Sequence, residues 1–120
     1  MLFPLKKRKK AYLKGIWAEK IASLYLQFNG YTILERRFKT SFGEIDLISR
    51  KGSYIVAVEV KMRVNHEKAA LSISPYQMRR IQNTLSFYAK RCSSLDLRFD
   101  VILISPWKWP RHIQGAWSPD

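Results

Sequence analysis

From Lys14 to Asn29 apolar residues recur at three- and four-residue steps: Ile16, Trp17, Ile21, Leu24, Tyr25 and Phe28 form one stripe, which predicts an amphipathic helix. Asn29-Gly30 supplies the stop, because glycine readily takes the left-handed conformation that ends helices. The period then changes from helical to extended. Tyr31–Arg37, rich in aromatic and β-branched residues, reads as a strand. Gly43–Ser49 and Ser53–Lys61 are two more β-rich runs, joined by Arg50-Lys51-Gly52, and predict a hairpin. Residues 62–74 read as a loop. Pro75 suits the first turn of a second helix reaching about Arg91, with Met78, Ile81, Leu85 and Tyr88 on one face. Arg98–Ile104 has the apolar run of a buried strand, and Pro106 ends it. The order is α-β-β-β-α-β, an α/β single domain with a mixed sheet flanked by helices. Its final strand–helix–strand unit should be a parallel, right-handed crossover. Three regions follow: a basic N-terminal arm at 1–13, a domain at 14–105 and a Trp-rich C-terminal tail at 106–120.

Three carboxylates interrupt strands that are otherwise Ile, Leu and Val: Glu44, Asp46 and Glu59. Side chains alternate along a strand, so Glu44 and Asp46 are expected on one face, with Ile45 and Leu47 on the other. Glu59 and Lys61 share a face in the same way. With the hairpin loop centred on Lys51-Gly52, Arg50 faces Ser53, Glu44 faces Glu59, and Asp46 is the diagonal neighbour of Glu59 at roughly 7–8 Å between backbones. Like charges opposed on a sheet are destabilising, so a cluster offset only by Lys61 calls for a cation. Hard oxygen ligands with room for water suit Mg²⁺ or Mn²⁺. The plainer alternative is a solvent-edge position where each acid pairs with a surface Arg or Lys.

Composition changes this picture in one respect. The chain has 120 residues, 47% hydrophobic and 26% charged, which is one globular domain's worth. Its 22 Lys and Arg against 9 Asp and Glu leave a net charge of +13. Lys6, Lys7, Arg8, Lys9 and Lys10 crowd the start, and without them the remainder is still strongly basic. Such an excess favours a polyanionic partner, nucleic acid first, with the arm neutralising phosphates, and an anionic membrane surface met by the arm with Leu2, Phe3 and Leu5 as the alternative. No apolar run approaches the roughly 20 residues of a membrane span. Cys92 is the only cysteine, which excludes an intramolecular disulfide and a multi-cysteine zinc site and fits a cytoplasmic setting. The apolar start precedes the cations, the reverse of a secretory signal.

Gly43-Glu-Ile-Asp-Leu-Ile, then Val58-Glu-Val-Lys61, then Arg98-Phe-Asp100 resemble the signature of the YraN family, small bacterial proteins of the PD-(D/E)XK nuclease superfamily. The resemblance runs from about Gly15 to Ile104 and includes Gly15-x-x-Ala-Glu19 and Gly30-Tyr31. It implies a restriction-endonuclease-like core at 14–105 and a metal-dependent endonuclease acting on DNA, branched DNA included. The implied metal ligands are Asp46, Glu59 and the carbonyl of Val60, with Glu44 a further candidate. Lys61 would activate water and stabilise charge, Glu19 would complete the site from the first helix, and Gln77 would contribute from the second. Arg63, Arg79 and Arg80 join the basic arm as candidate nucleic-acid contacts. Tyr76 stands where the family usually shows a Lys. A non-catalytic nucleic-acid-binding protein with the same fold is the rival reading.

The other candidates read as structural. Trp107, Trp109 and Trp117, interleaved with Lys108 and Arg111, suit packing over a sheet edge or a homodimer contact, with stacking on unpaired bases as the alternative. His66 and His112 fall in predicted loops and are expected at the surface. Cys92 is expected to be a small, buried hydrophobe.

Overall fold

The computed structural model describes residues 5–63, 73–92 and 95–118, with side chains of the first helix from Gly15 onward. His66 and most of the loop expected at 62–74 lie outside the described residues. The elements are α1 (Leu5–Phe28), β1 (Thr32–Lys39), β2 (Glu44–Lys51), β3 (Tyr54–Met62), α2 (Pro75–Ala89), β4 (Asp96–Ile104) and β5 (Arg111–Trp117). The sheet order is β1-β2-β3-β4-β5. Only β3 and β4 are parallel; the other pairs are antiparallel. The expected order therefore holds, with one strand added at the C-terminal end.

The first helix spans Leu5–Phe28 and so includes Lys6–Lys10 in its opening turns. Lys and Arg are good helix formers, and charge density alone does not stop a helix. Side chains of those five residues lie outside the described set. At the other end Gly30 has φ +84°, and Tyr31 N–H and Gly30 N–H donate to the carbonyls of Leu26 and Gln27 at 2.9 and 3.1 Å. That is a Schellman cap, closed by the contact of Tyr31 with Leu26 in the core.

The sheet is buried on both faces. Against α1 lie Leu47, Val56, Val58, Ile102 and Ile104; against α2 lie Ile45, Ile48, Ile55, Ala57 and Phe99. From α2 come Ile81, Leu85 and Tyr88, as its spacing predicted. From α1 come Ala18, Ala22 and Leu26, with only Ile21 and Tyr25 of the expected stripe packed partly buried beside them, for small residues let helix and sheet approach closely. Trp17, Leu24 and Phe28 are thereby left 49%, 59% and 92% exposed.

Two departures at β2 shape the rest. Its pairs with β3 run from Leu47↔Val58 to Lys51↔Tyr54, two residues out of the expected register. The turn is centred on Gly52-Ser53, with Gly52 at φ +56° in the first central position, where a II′ hairpin wants glycine. The second departure is a break in alternation. Ile45 and Leu47 are two apart yet pack on opposite faces of the sheet. Opposite this break, between the pairs Arg36↔Leu47 and Phe38↔Ile45, Arg37 has φ +51°. Both strands are kinked at the level of Asp46.

The unpredicted β5 carries a further correction. The His112 side chain points inward and is only 4% exposed: its Nε2 lies 2.7 Å from Oδ2 of the fully buried Asp100, and its ring packs edge-on against Tyr25. Trp117 stacks on Phe99 with ring centroids 5.2 Å apart. Cys92 is half-buried beside the α2 core.

Candidate active site

The kink delivers Asp46 to a gap. The β2–β3 ladder stops at Leu47↔Val58, while β3 continues beside β4 to Met62↔Ile104. Continuing the observed register puts Asp46, not Glu44, across from Glu59. The Asp46 Oδ2 accepts the N–H of Val60 at 2.8 Å, taking the place of a ladder partner. Glu59 and Lys61 project together, with Oε1 and Nζ 3.6 Å apart and side chains only 11% and 17% exposed. Gln77 donates its side-chain amide to the same Oε1 at 3.2 Å. Gln77 is held there by the start of α2, where Pro75 occupies the first turn and the Ser74 hydroxyl accepts the Gln77 N–H at 3.1 Å.

Burial pushes the carboxyl of Asp46 up to about 6; the Val60 N–H opposes this, Glu19 and Glu44 add to it, and Lys61 draws it down. Glu59 rises to about 7, again mainly through burial and next through the charge of Asp46, against the pull of Lys61. Two desolvated carboxylates thus face one ammonium. Because both folded values lie above the ordinary ones, their contribution to stability is complete below about pH 4 and lost as pH rises through 6 and 7. Metal-free protein is expected to melt at progressively lower temperature between about pH 5 and pH 8. Thermal unfolding in EDTA checks this, and the double variant Asp46→Asn/Glu59→Gln should flatten the profile. A parent profile as flat as the variant's would show that the two carboxyls are not raised.

The remaining candidates are spread around this centre. Glu19 is engaged by Arg37 at 2.8 and 3.4 Å. Glu44 is half-exposed, with Lys39 Nζ at 4.0 Å. It opens with Tyr76, Gln77 and Arg80 onto a cleft of about 470 Å³. Arg80 reaches the Tyr76 hydroxyl at 3.3 Å, whereas Arg79 lines a separate cleft beside Trp117. Arg63 follows the end of β3, its N–H bonded to the Ile104 carbonyl at 2.9 Å. Arg37 was not a sequence candidate, since nothing in its spacing announces a positive φ.

Among the described residues, no group of three or more His, Cys, Asp or Glu side chains stands together as a metal site. The two-carboxylate set nonetheless fits a hard cation. Magnesium is commonly held by one or two carboxylates, keeps several waters and takes up substrate phosphate oxygens. A cation would also offset the charge of Asp46 and Glu59 that the single ammonium of Lys61 leaves unbalanced.

Comparison with known proteins agrees with the motifs. The model of the uncharacterised protein family UPF0102 matches residues 18–104. The chain belongs to UPF0102. Its UPF0102 relatives include a protein of Bartonella tribocorum, 41% identical over 98% of this chain and 92% of the relative. Another, from Parvibaculum lavamentivorans, is 45% identical over 91% of this chain and 84% of the relative. The UPF0102 fold seen here is similar to that of Archaeoglobus fulgidus Hjc, a Holliday junction resolvase, with a TM-score of 0.55 and 22% identity over 80% of this chain and 72% of that one. The core is therefore restriction-endonuclease-like, as the YraN resemblance implied. No described helix is long and apolar enough to cross a membrane.

Proposed function

We propose that this protein is a metal-dependent nuclease that hydrolyses phosphodiester bonds in DNA. The observation that carries the reading is the grouping of partly buried Asp46 and Glu59 with Lys61 where β2 parts from β3. Asp46, Glu59 and the Val60 carbonyl would hold Mg²⁺ or Mn²⁺, with Glu44 or Glu19 available to extend the set. Such an ion supplies Lewis acidity toward phosphate and water. Lys61 places an ammonium where charge develops on the phosphate. Gln77 fixes the rotamer of Glu59. Arg80 and Arg63 position the sugar–phosphate backbone, as does the basic start of α1, and these contacts make binding salt-dependent. The solved neighbour is a Holliday junction resolvase, which puts branched DNA among the first substrates to test. The single Cys92 suits a reducing, cytoplasmic setting.

The test is cleavage of labelled single-stranded, duplex and four-way-junction DNA with Mg²⁺ or Mn²⁺, beside EDTA and the Asp46→Asn variant. Metal-dependent cutting that the variant lacks is the expected result; equal cutting by parent and variant would overturn the site. A non-catalytic binder is the second reading, favoured by the lack of a three-ligand group among the described residues. It predicts salt-sensitive binding with no product on any of the three substrates.

A further inference from the structure

The β4–β5 turn holds a tryptophan where its backbone would prefer glycine. The Lys108 N–H donates to the Ser105 carbonyl at 3.4 Å, closing a four-residue turn with Pro106 second and Trp107 third. Trp107 has φ +62°. Proline second with a positive φ third is the type II pattern, and its third position normally takes glycine or asparagine. A bulky side chain there is strained. Trp107 gains nothing from its own chain in return, because it is fully exposed (102%), and Trp109 beside it is 89% exposed. Strain combined with unused aromatic surface indicates that the benefit comes from a partner.

Position and charge identify the partner. Lys61 on β3 is paired with Leu103 on β4, two residues before Ser105, and the Ser105 hydroxyl donates to the Arg63 carbonyl. The turn therefore rises from the same end of the sheet as Lys61. Lys61 lies on the α2 face with Glu59 and Gln77, whereas Trp107 and Trp109 line the α1 face with Trp17 and Ile21, so a nucleic-acid strand reaching both would pass round this end of the sheet. Lys108 and Arg111 flank the tryptophans, and no Asp or Glu occurs from Val101 to Pro119. Trp107 and Trp109 line a cleft of about 360 Å³ together with Trp17, Ile21 and Ile104. A second copy of a +13 chain would set Lys108 and Arg111 against their own kind, whereas a polyanion with exposed base faces matches both the charge and the rings.

We propose that Trp107 and Trp109 form a stacking platform for unpaired bases beside the hydrolytic site, which makes the protein favour nucleic acid with a single-stranded stretch. This rests on the nucleic-acid reading of the Asp46–Glu59–Lys61 end of the sheet. The test uses full-length protein in EDTA, so that binding is read without cleavage, on fluorescein-labelled oligothymidine and on a blunt duplex of equal length. Trp107→Ala and Trp109→Ala should each weaken single-strand binding about tenfold or more, with duplex binding unchanged within about twofold. Trp107→Phe should retain most of the affinity. Trp107→Gly suits the positive φ and should melt at the parent's temperature or above it while binding like the Ala variant, which separates stacking from folding. Single-strand affinity unchanged in both Ala variants would overturn the platform. So would variants that alter only the oligomeric state, or only co-sedimentation with anionic phospholipid vesicles; these would assign the patch to a second copy or to a lipid surface. Failure of the nuclease reading shows separately, as absence of cleavage with single-strand binding intact.

Discussion

Glu59→Gln is expected to lower metal-dependent cleavage at least about a thousandfold, roughly 4 kcal/mol of transition-state stabilisation. The substitution keeps the shape of the side chain and its neighbourhood with Gln77, and removes only the charge. That charge is costly to the fold, since burial already pushes the Glu59 carboxyl up to about 7. The variant should therefore melt at the parent's temperature or higher at pH 8 in EDTA while losing activity. Loss of activity with unchanged or improved stability is the mark of a residue placed for chemistry rather than for packing. Lys61→Ala should cost about a hundredfold or more, because its ammonium is nearly enclosed and cannot be replaced by solvent cations in the same position. If Asp46 and Glu59 act as one unit, Asp46→Asn/Glu59→Gln will be no slower than the worse single variant. Single-turnover rates at saturating Mg²⁺ read all of this. Cleavage by Glu59→Gln within about tenfold of the parent would remove Glu59 from the site.

The candidate site was legible because carboxylates inside Ile- and Val-rich strands are expensive, and few sequences tolerate them without a reason. Glu59 with Lys61 on one face followed from alternation alone, and both occur together as expected. The meeting with Asp46 did not follow. It depends on a turn centred one residue later than Lys51-Gly52 and on a kink at Arg37 that no propensity announces. The same kink explains why Ile45 and Leu47 left the common face assigned to them. On α1 the error was one of size. Large apolar residues were expected to face the sheet, but close approach selected Ala18 and Ala22 and left Trp17, Leu24 and Phe28 outward. The fifth strand escaped notice for a different reason. Arg111–Trp117 is polar, edge-placed and interrupted by Gly115 at φ +58°, so it lacks the alternation of a half-buried strand.

That fifth strand is fastened by Asp100, and Asp100→Ala is expected to destabilise the protein by about 3–5 kcal/mol, the usual cost of removing one partner from a buried ion pair. For a chain of this size the melting temperature should fall by roughly 10–20 °C. Asp100 is fully buried. It accepts two bonds from Arg98, at 2.9 and 2.8 Å, and the N–H of Gly115 at 3.0 Å, with His112 at 2.7 Å. The bulge between Phe99 and Val101 in the β4–β5 ladder accompanies the turn of Gly115 toward this carboxylate. Burial alone would raise the Asp100 carboxyl; the bonds from His112, Arg98 and Gly115 outweigh it and hold the group below its ordinary value. The stability it contributes is therefore present above the ordinary value of 3.8 and lost as pH falls through the lower folded value, opposite in sense to Asp46 and Glu59. Without the carboxylate, Arg98 is left part-buried with the Tyr31 hydroxyl and the faces of the Tyr31 and Tyr54 rings to receive it. β5 pairs with β4 alone, so hydrogen exchange should accelerate first at 111–117, ahead of global unfolding. A loss below about 1 kcal/mol, with β5 amides still protected, would mean that ring packing by Tyr25, Tyr31 and Phe99 holds the strand and the ion cluster does not.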